Sequence, residues 1–220
     1  MAKISSPSAT GVTAKRGKAK AKAPGKAKSK SREYIEAILI AVVMALIFRQ
    51  FIIQAFRIPS GSMEKTLLVG DFLFVNKFLY GAKMPWVDQR LPAIRQPKRG
   101  DIIVFTAPSD GRDFIKRCVA VAGDTLELRG TELYVNGELQ NEPYAQYIRT
   151  GANRSVFGPI VVPEGNLFMM GDNRDNSQDS RFWGFLPLHM VKGKAMFIYF
   201  SVEDWLPPNI RFSRIGDILR

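Results

Sequence analysis

The sequence predicts a mostly β domain, built from many short antiparallel strands in a sandwich or open barrel and preceded by one transmembrane α-helix. Three observations predict this fold class. Short apolar segments with strand-like alternation recur between residues 66 and 200, separated by Gly, Asp and Asn. No helical periodicity of useful length follows residue 56 until the last dozen residues. One apolar segment near the N-terminus is long enough to cross a membrane.

Charge divides the chain into a basic N-terminal tail and a nearly neutral remainder. The net charge is +12, but the first 32 residues hold ten of the 32 Lys and Arg residues and no acid, which leaves 22 bases against 20 acids. Residues 1–33 contain almost no large apolar side chains, so we expect a disordered basic cytoplasmic tail. Cys118 is the only cysteine, which excludes an intrachain disulfide and a Cys-based zinc site.

Residues 34–56, YIEAILIAVVMALIFRQFIIQAF, are predicted to form the transmembrane helix. About 20 helical residues cross a hydrocarbon core of about 30 Å, and Glu36 and Arg49 would lie at its two interfaces. Basic residues before a first transmembrane helix hold that end in the cytoplasm, which places residues 57–220 outside. A cleavable signal peptide is disfavoured because 36 residues precede the apolar run and no Ala-x-Ala precedes a plausible mature start. A buried amphipathic helix remains an alternative.

The remaining chain is predicted to be strands and turns. Residues 66–80 show strand-like spacing around a turn at Gly70-Asp71, and three prolines make residues 81–99 a predicted loop. Turns are predicted at Gly130 and at Asn136-Gly137. The predicted strands are residues 101–105, 114–122, 126–128, 133–135, 161–170 and 194–200.

A candidate nucleophile lies in residues 58–63, IPSGSM, directly after the apolar segment. A Pro and a Gly this close together break any arriving helix, so a Ser hydroxyl there can point away from regular structure. An ordinary Ser/Gly turn is the alternative.

A Ser nucleophile needs a base, and the chain offers two candidates. His189 is the only histidine and lies in an apolar segment without an adjacent acid, a setting more typical of a structural histidine. Lys116 lies in the apolar strand FIKRCV, where burial lowers the pKa of an amine. By alternation Lys116 and Arg117 face opposite sides, so at least one of them meets a largely apolar surface. A lysine on an exposed strand face is the alternative.

Residues 171–181, GDNRDNSQDSR, form a polar loop between apolar segments. So many hydrogen-bonding side chains favour a fixed loop beside a site. Calcium binding through Asp172, Asp175 and Asp179 is disfavoured because the loop lacks the Gly at position six and the Glu at position twelve of an EF-hand. Asn153-Arg154-Ser155 fits a glycosylation sequon.

The chain resembles the type I signal peptidases, the bacterial membrane-bound leader peptidases of the Ser/Lys class. Four segments carry the resemblance in the family's order: residues 59–63 (PSGSM) with Gly70-Asp71, residues 99–104 (RGDIIV), residues 114–117 (FIKR) with Gly123-Asp124, and residues 171–181. In two places the chain departs from the pattern. Lys65 and Ala122 stand where the family usually has Pro, which puts the rigidity of two loops in doubt.

The resemblance implies roles for individual residues. Ser62 would be the nucleophile, Lys116 the general base, and Ser60 an oxyanion-hole donor beside the Ser62 N–H. Ser177 would hold the Lys116 amine, and Asp179 and Arg181 would form a supporting ion pair. Four residues would line shallow pockets for small substrate side chains: Phe56, Ile58, Val104 and Ile115.

The resemblance also implies a substrate and a location. We expect a single-pass serine endopeptidase of the bacterial inner (plasma) membrane, which cleaves signal peptides of exported preproteins after Ala-x-Ala and uses no metal or cofactor. The expected partners are those signal peptides and membrane lipid. No nucleic acid is expected, because the basic tail has no aromatic residue for base stacking. Two alternatives are a self-cleaving Ser/Lys regulator, which needs no membrane helix, and a membrane-anchored scaffold whose tail binds nucleic acid or anionic lipid.

Overall fold

A computed structural model describes residues 30–84, 87, 89–148 and 156–219. The chain divides into two units, Met1–Ile40 and Ala41–Arg220. Most of the predicted basic tail, the sequon at Asn153 and Trp86 of the predicted loop lie outside the described residues.

The first helix, α1, spans Lys30–Phe51, and its 22 residues have a mean hydropathy of 1.9 in the most apolar window. None of its residues is buried, which excludes the alternative of a buried core helix. Its length, about 33 Å at about 1.5 Å per residue, suits a membrane span. The predicted C-terminal boundary at residue 56 is wrong, because the helix ends at Phe51 and the next residues pair with a strand.

The described part of the chain after α1 is mostly β, as predicted. The strands are β1 (Ile53–Arg57), β2 (Asp71–Asn76), β3 (Ile102–Thr106), β4 (Asp113–Val121), β5 (Thr125–Arg129), β6 (Glu132–Val135), β7 (Glu138–Leu139), β8 (Phe157–Val161), β9 (Asn166–Met170), β10 (Leu186–Pro187), β11 (Val191–Trp205) and β12 (Pro208–Ile210). A short helix, α2, spans Ser180–Trp183.

Two antiparallel sheets organise these strands. The larger has the order β1-β2-β11-β3-β4-β9-β10, with β12 on β11, and the smaller has the order β7-β6-β5-β8. One core cluster has members from β2, β3 and β11 and includes Ile58 and Met63, which lie on either side of Ser62 in sequence. Another core cluster joins β4 and β9 to the smaller sheet through Phe168 and Leu126.

The boundaries of three predicted elements differ from the structure. Residues 161–170 form two strands, because Pro163 and Gly165, with φ +73°, make a turn between them. Within residues 66–80 only β2 is a strand, since the Thr66 and Leu67 N–H groups bond to the Met63 carbonyl instead. The last dozen described residues contain no α-helix, which corrects the weak helical expectation there.

A turn of one type opens three segments of the domain, at Gly70-Asp71, Gly100-Asp101 and Gly123-Asp124. Each glycine has φ between +84° and +88°, which costs glycine little. Each Asp N–H donates to the carbonyl three residues earlier, and each Asp carboxylate accepts the N–H of that same residue (Leu68, Lys98 and Val121). Each Gly-Asp pair therefore forms a turn that leads into the next strand.

Candidate active site

Ser62 lies in a 3₁₀-helix, Gly61–Met63, directly after β1. The Ile58 N–H donates to the Asp71 carbonyl and the Gly70 N–H donates to the Ile58 carbonyl, so the start of this turn is tied to β2. Met63 is fully buried in the core, and Ser62 is 8% exposed. The hydroxyl is thus held at one place beside the sheet.

Lys116 is brought to Ser62 by the middle of β4. Its Nζ lies 2.5 Å from Ser62 Oγ, although the two residues are 54 positions apart in the chain. The side chain is only 4% exposed. Burial lowers the pKa of Lys116 to about 8, while the negative charges of Asp179 and Asp172 oppose that shift. An amine with this pKa is partly neutral near neutral pH. The alternative of a lysine on an exposed strand face is wrong, because the side chain is buried.

Arg117, the next residue of β4, is 2% exposed and is neutralised by Asp172. Its Nε and Nη2 donate to the two Asp172 carboxylate oxygens at 2.9 and 2.7 Å. The guanidinium also lies 3.7 Å from the centre of the Tyr144 ring. Both basic side chains are therefore buried. Arg117 pairs with a carboxylate, whereas Lys116 contacts the Ser62 hydroxyl.

The polar loop, residues 171–181, is attached to the Ser62 turn by backbone contacts. The Asn173 N–H donates to the Ser62 carbonyl at 3.1 Å, and Asn173 Nδ2 donates to the Gly61 carbonyl at 3.0 Å. A Cβ at Gly171 would lie 2.5 Å from the Ser62 carbonyl oxygen and 2.6 Å from Ser177 Cβ. Only glycine fits there, because the two segments approach so closely.

Inside the polar loop, arginines neutralise the carboxylates. Arg181 Nε and Nη2 donate to Asp179 at 2.9 Å each, and the Gly171 N–H donates to the same carboxylate at 3.0 Å. Arg174 is paired with Glu142 at 2.7 and 2.6 Å. The calcium alternative is contradicted for Asp172 and Asp179, since guanidinium groups occupy both carboxylates. Among the described residues, no group of three His, Cys, Asp or Glu side chains is placed to hold a metal ion.

Ser177 is close to this centre, but its predicted contact with Lys116 is not present. The Ser177 hydroxyl is buried and makes no hydrogen bond with any described residue. Its role in holding the amine therefore stays a prediction.

Ser60 precedes the 3₁₀-helix with extended backbone, φ −138° and ψ 153°, and its side chain makes no capping bond. Ser60 is exposed. The Ser62 N–H belongs to the first turn of that helix, where N–H groups have no partner within the helix. The role of Ser60 as an oxyanion-hole donor stays a prediction.

The four residues expected to contact substrate line one small cavity, here called the substrate cavity. Its volume is about 30 Å³, and its lining is Phe56, Arg57, Ile58, Pro59, Val104, Asp113, Phe114 and Ile115. Val104 and Ile115 lie directly opposite each other on β3 and β4. A space of this volume holds a methyl group or a water molecule.

His189 lies in an exposed 3₁₀-helix, Leu188–Met190. Its carbonyl accepts a hydrogen bond from Arg90 Nη2 at 2.7 Å, and it lines cavities that contain neither Ser62 nor Lys116. The structure therefore does not bring this histidine to the nucleophile.

Several residues of the site were not singled out from the sequence. Thr66 donates its hydroxyl to Asp172 at 2.5 Å, and Tyr144, Glu142 and Asn173 support the polar loop as described above. Thr66 and Glu142 carry no distinctive local pattern. The only available signal was the density of acids and arginines in the polar loop, which require buried partners.

The two departures from the family pattern lie in turns next to this site. Lys65 has φ +76°, which proline cannot adopt because its ring holds φ near −65°. Ala122 precedes Gly123 in the turn closed by Asp124 N–H and the Val121 carbonyl. The backbone therefore suits a proline at residue 122 and not at residue 65.

Comparisons with known proteins show which family the chain resembles. Residues 31–200 match the family model described as "Signal peptidase, peptidase S26". A signal peptidase I of Pseudomonas aeruginosa is 37% identical and covers 84% of this chain and 78% of its own length. One from Aquifex aeolicus is 36% identical over 77% of this chain and 84% of its own length. A crystal structure of a signal peptidase I from Enterococcus faecalis V583 is 34% identical, with a TM-score of 0.42, and covers 46% of this chain and 98% of its own.

The family match extends over more than three quarters of the 220 residues, and the relatives exceed 30% identity over a similar share. The site residues discussed above all lie within residues 31–200. This chain belongs to the signal peptidases of peptidase family S26.

Proposed function

We propose that this protein is a membrane-anchored serine endopeptidase that removes signal peptides from exported precursor proteins. The observation that carries the proposal is the distance of 2.5 Å between Lys116 Nζ and Ser62 Oγ in a buried site. The names of the relatives, all signal peptidase I, support the same substrate class.

In the first step the neutral amine of Lys116 accepts the Ser62 hydroxyl proton as Oγ attacks the scissile carbonyl. The carbonyl oxygen becomes an oxyanion, which the Ser62 N–H and the Ser60 hydroxyl stabilise by donating hydrogen bonds. These donors are preorganised because the turn is tied to β2 and to the polar loop. The charge that develops is therefore met by dipoles already in place.

In the second step the protonated Lys116 gives its proton to the leaving amine, and the carbon–nitrogen bond breaks. The signal peptide remains attached to Ser62 as an ester. Lys116, neutral again, takes a proton from a water molecule that attacks the ester, and Ser62 leaves with that proton. Proton and charge balance over the cycle.

The substrate cavity supports a preference for small residues, as in Ala-x-Ala. Its volume of about 30 Å³ suits a methyl side chain at the position occupied by the residue before the scissile bond or the one two further upstream. A larger side chain would have to displace Ile115 or Val104. Specificity for small residues would thus come from packing.

We further propose a single-pass arrangement in the bacterial inner membrane. Residues 1–33, which hold most of the charge asymmetry, would lie in the cytoplasm and α1 would cross the membrane. The catalytic domain, which begins with β1 at Ile53 rather than at residue 57, would lie on the outer face. Anchoring confines the enzyme to the surface where a signal peptide is inserted, and raises the effective concentration of the scissile bond.

The test is a cleavage assay on a signal-bearing precursor with full-length protein in detergent or vesicles. Wild type should release the mature protein, while Ser62→Ala and Lys116→Met should not. His189→Ala is the matched control and should retain activity. Cleavage by Ser62→Ala at the wild-type rate, in protein free of contaminating protease, would refute the proposal.

A further inference from the structure

The buried residue Asn173 holds the backbone on both sides of Ser62. Asn173 Nδ2 donates to the Gly61 carbonyl at 3.0 Å, and the Asn173 N–H donates to the Ser62 carbonyl at 3.1 Å. The first of these carbonyls belongs to the peptide group before the Ser62 α-carbon, and the second belongs to the peptide group after it. Asn173 is fully buried, so both hydrogen bonds are shielded from solvent.

The Gly61 carbonyl and the Ser62 N–H are parts of the same peptide group. Because that group is planar and trans, its C=O and its N–H point in opposite directions. A hydrogen bond that fixes the Gly61 carbonyl therefore also fixes the direction of the Ser62 N–H. The same bond polarises the peptide group, which strengthens donation by its N–H. The amide of Asn173 thus acts on the N–H that the proposed mechanism uses as an oxyanion donor.

The exposed residue Glu64 determines how the Asn173 amide is oriented. Asn173 Nδ2 carries two hydrogens, and its second acceptor is Glu64 Oε2 at 3.3 Å. If the amide were rotated by half a turn, its oxygen would face the Gly61 carbonyl and a carboxylate, both of which only accept hydrogen bonds. Asn173 Oδ1 is instead buried without a hydrogen-bond partner among the described residues. The two contacts of Nδ2 therefore set the orientation of the amide.

Backbone hydrogen bonds hold Asn173 in place from the other side. The Gln146 N–H donates to the Asp172 carbonyl at 2.7 Å, and the Gln146 carbonyl accepts the Arg174 N–H at 2.8 Å. The Asn176 N–H donates to the Asn173 carbonyl at 3.1 Å. The chain is fixed before and after Asn173, so its side chain reaches the Ser62 turn from a rigid support.

We propose that Asn173 is a positioning residue whose amide aims the Ser62 N–H at the developing oxyanion, and that Glu64 holds the amide in that orientation. The proposal rests on the endopeptidase function proposed above. An N–H that is aimed in advance needs no reorganisation as negative charge develops on the carbonyl oxygen. Because the oxyanion exists only after attack, the loss of Asn173 should lower kcat and leave KM unchanged.

The first test observes the peptide group directly and needs no protease activity. Gly61-Ser62 is the only Gly-Ser pair in the chain. Full-length protein made by cell-free synthesis with carbonyl-¹³C glycine and ¹⁵N serine therefore gives one cross-peak in a carbonyl–amide correlation spectrum in detergent. Asn173→Ala should shift this peak, and Glu64→Ala should shift it less. Gln178→Ala, an exposed change in the same loop, should leave it in place. An unmoved peak in folded Asn173→Ala would overturn the proposal.

The second test separates kcat from KM in the precursor cleavage assay. Asn173→Ala should lower kcat about 10- to 100-fold, because a misplaced donor stabilises the oxyanion less. Glu64→Ala should lower kcat about two- to fivefold, and Glu64→Gln, which keeps an acceptor oxygen, should restore it. In the Asn173→Ala background Glu64→Ala should have no further effect, since Glu64 acts through the amide. An equal effect of Glu64→Ala in both backgrounds, or a change confined to KM, would overturn the proposal.

The matched control is Asn136→Ala, which removes another bridging amide in the turn after β6. Asn136 Oδ1 accepts the Thr125 N–H, and Asn136 Nδ2 donates to Asp124. This change should lower the free energy of unfolding and leave kcat unchanged. A similar loss of kcat in Asn136→Ala would reduce the effect of Asn173 to stability and overturn its positioning role.

The two tests also separate this proposal from the proposed function. A wild type that cleaves no precursor would overturn the proposed function, and the cross-peak would still decide whether Asn173 and Glu64 orient the Gly61–Ser62 peptide. An active wild type whose kcat is unchanged in Asn173→Ala would overturn the positioning role and leave the protease intact.

Discussion

Lys116 and Arg117 are consecutive residues of β4, both are buried, and only Arg117 is neutralised by a carboxylate. Asp172 pairs with Arg117, whereas among the described residues no carboxylate lies within ion-pair distance of Lys116 Nζ, which instead contacts Ser62 Oγ. Burial lowers the pKa of an amine that has no carboxylate partner, whereas a guanidinium paired with a carboxylate stays charged. This difference supports the proposal that Lys116 is the general base and that Arg117 has a structural role.

The pH profile tests the base. Because burial lowers the pKa of Lys116 to about 8, kcat/KM should rise with pH through about 8 as the neutral amine forms. Lys116→Arg should be inactive at every pH, since a guanidinium keeps its proton. His189→Ala should keep both the rate and the profile. An unchanged profile in Lys116→Arg, or loss of activity in folded His189→Ala, would point to another base.

The lowered pKa of Lys116 also predicts that this buried amine reduces the free energy of unfolding. The folded-state pKa of about 8 lies below the unfolded value of 10.5, so the unfolded chain binds the extra proton between these pH values. The free energy of unfolding should therefore rise with pH across that window, and the full penalty applies below pH 8. Lys116→Met should remove it and stabilise the domain at pH 7 by roughly 3 kcal/mol. Urea unfolding of the full chain in detergent at two pH values measures this, and a destabilised Lys116→Met would contradict it.

Breaking the Arg117–Asp172 pair should lower the free energy of unfolding far more than breaking an exposed ion pair. Asp172→Asn leaves the guanidinium buried without a countercharge, at a cost of about 3 to 5 kcal/mol. Glu127→Gln breaks the exposed pair with Arg129 and should cost under about 1 kcal/mol. Denaturant midpoints of the two variants provide the comparison. Similar midpoints would mean that the buried pair is solvated in solution.

Substrate selection should follow the volume of the substrate cavity. Replacing Ala by Phe at the residue before the cleavage site should cost about 1 to 3 kcal/mol, or roughly ten- to a hundredfold in kcat/KM. Ile115→Ala should reduce that ratio by opening the cavity, whereas Ile160→Ala, outside it, should leave the ratio unchanged. Equal cleavage of Ala and Phe substrates by the wild type would exclude selection by packing.

Ala122→Pro should stabilise the domain by about 0.4 to 1 kcal/mol. Ala122 precedes Gly123, with φ +84°, in a turn of the type that favours Pro at this place, and its N–H does not close the turn. Lys65→Pro is the contrasting change and should destabilise, because φ at Lys65 is +76°. Thermal unfolding of both variants tests the pair, and a stabilising Lys65→Pro would show that this turn has a different conformation.

Much of the fold followed from local pattern. Compact apolar segments predicted β3 and β4 to within one residue, and most of both strands is buried on both faces. Alternation predicted β5 and β6 to within one residue at each end, because one face of each of these strands meets the core. The Asn136-Gly137 pair also predicted a turn, because these two residue types readily adopt positive φ. The observed φ values are +58° and +81°. The end of α1 was missed because Ile53–Arg57 is as apolar as the helix before it, and only pairing with β2 distinguishes it.

The sequence by itself determined the chemical groups of the site: a serine after a Pro-Ser-Gly turn, a lysine within an apolar strand, and a polar loop too dense in charges to be a solvated turn. Tertiary structure alone decided which of these groups meet. In a flat sheet β1 and β4 would be about 19 Å apart, at about 4.8 Å for each of four steps. The sheet curls, so Phe56 of β1 and Ile115 of β4 line one cavity, and Ser62 reaches Lys116. Curvature, burial and the choice of Asp172 as the partner of Arg117 arise from contacts between segments far apart in the chain, which no local pattern encodes.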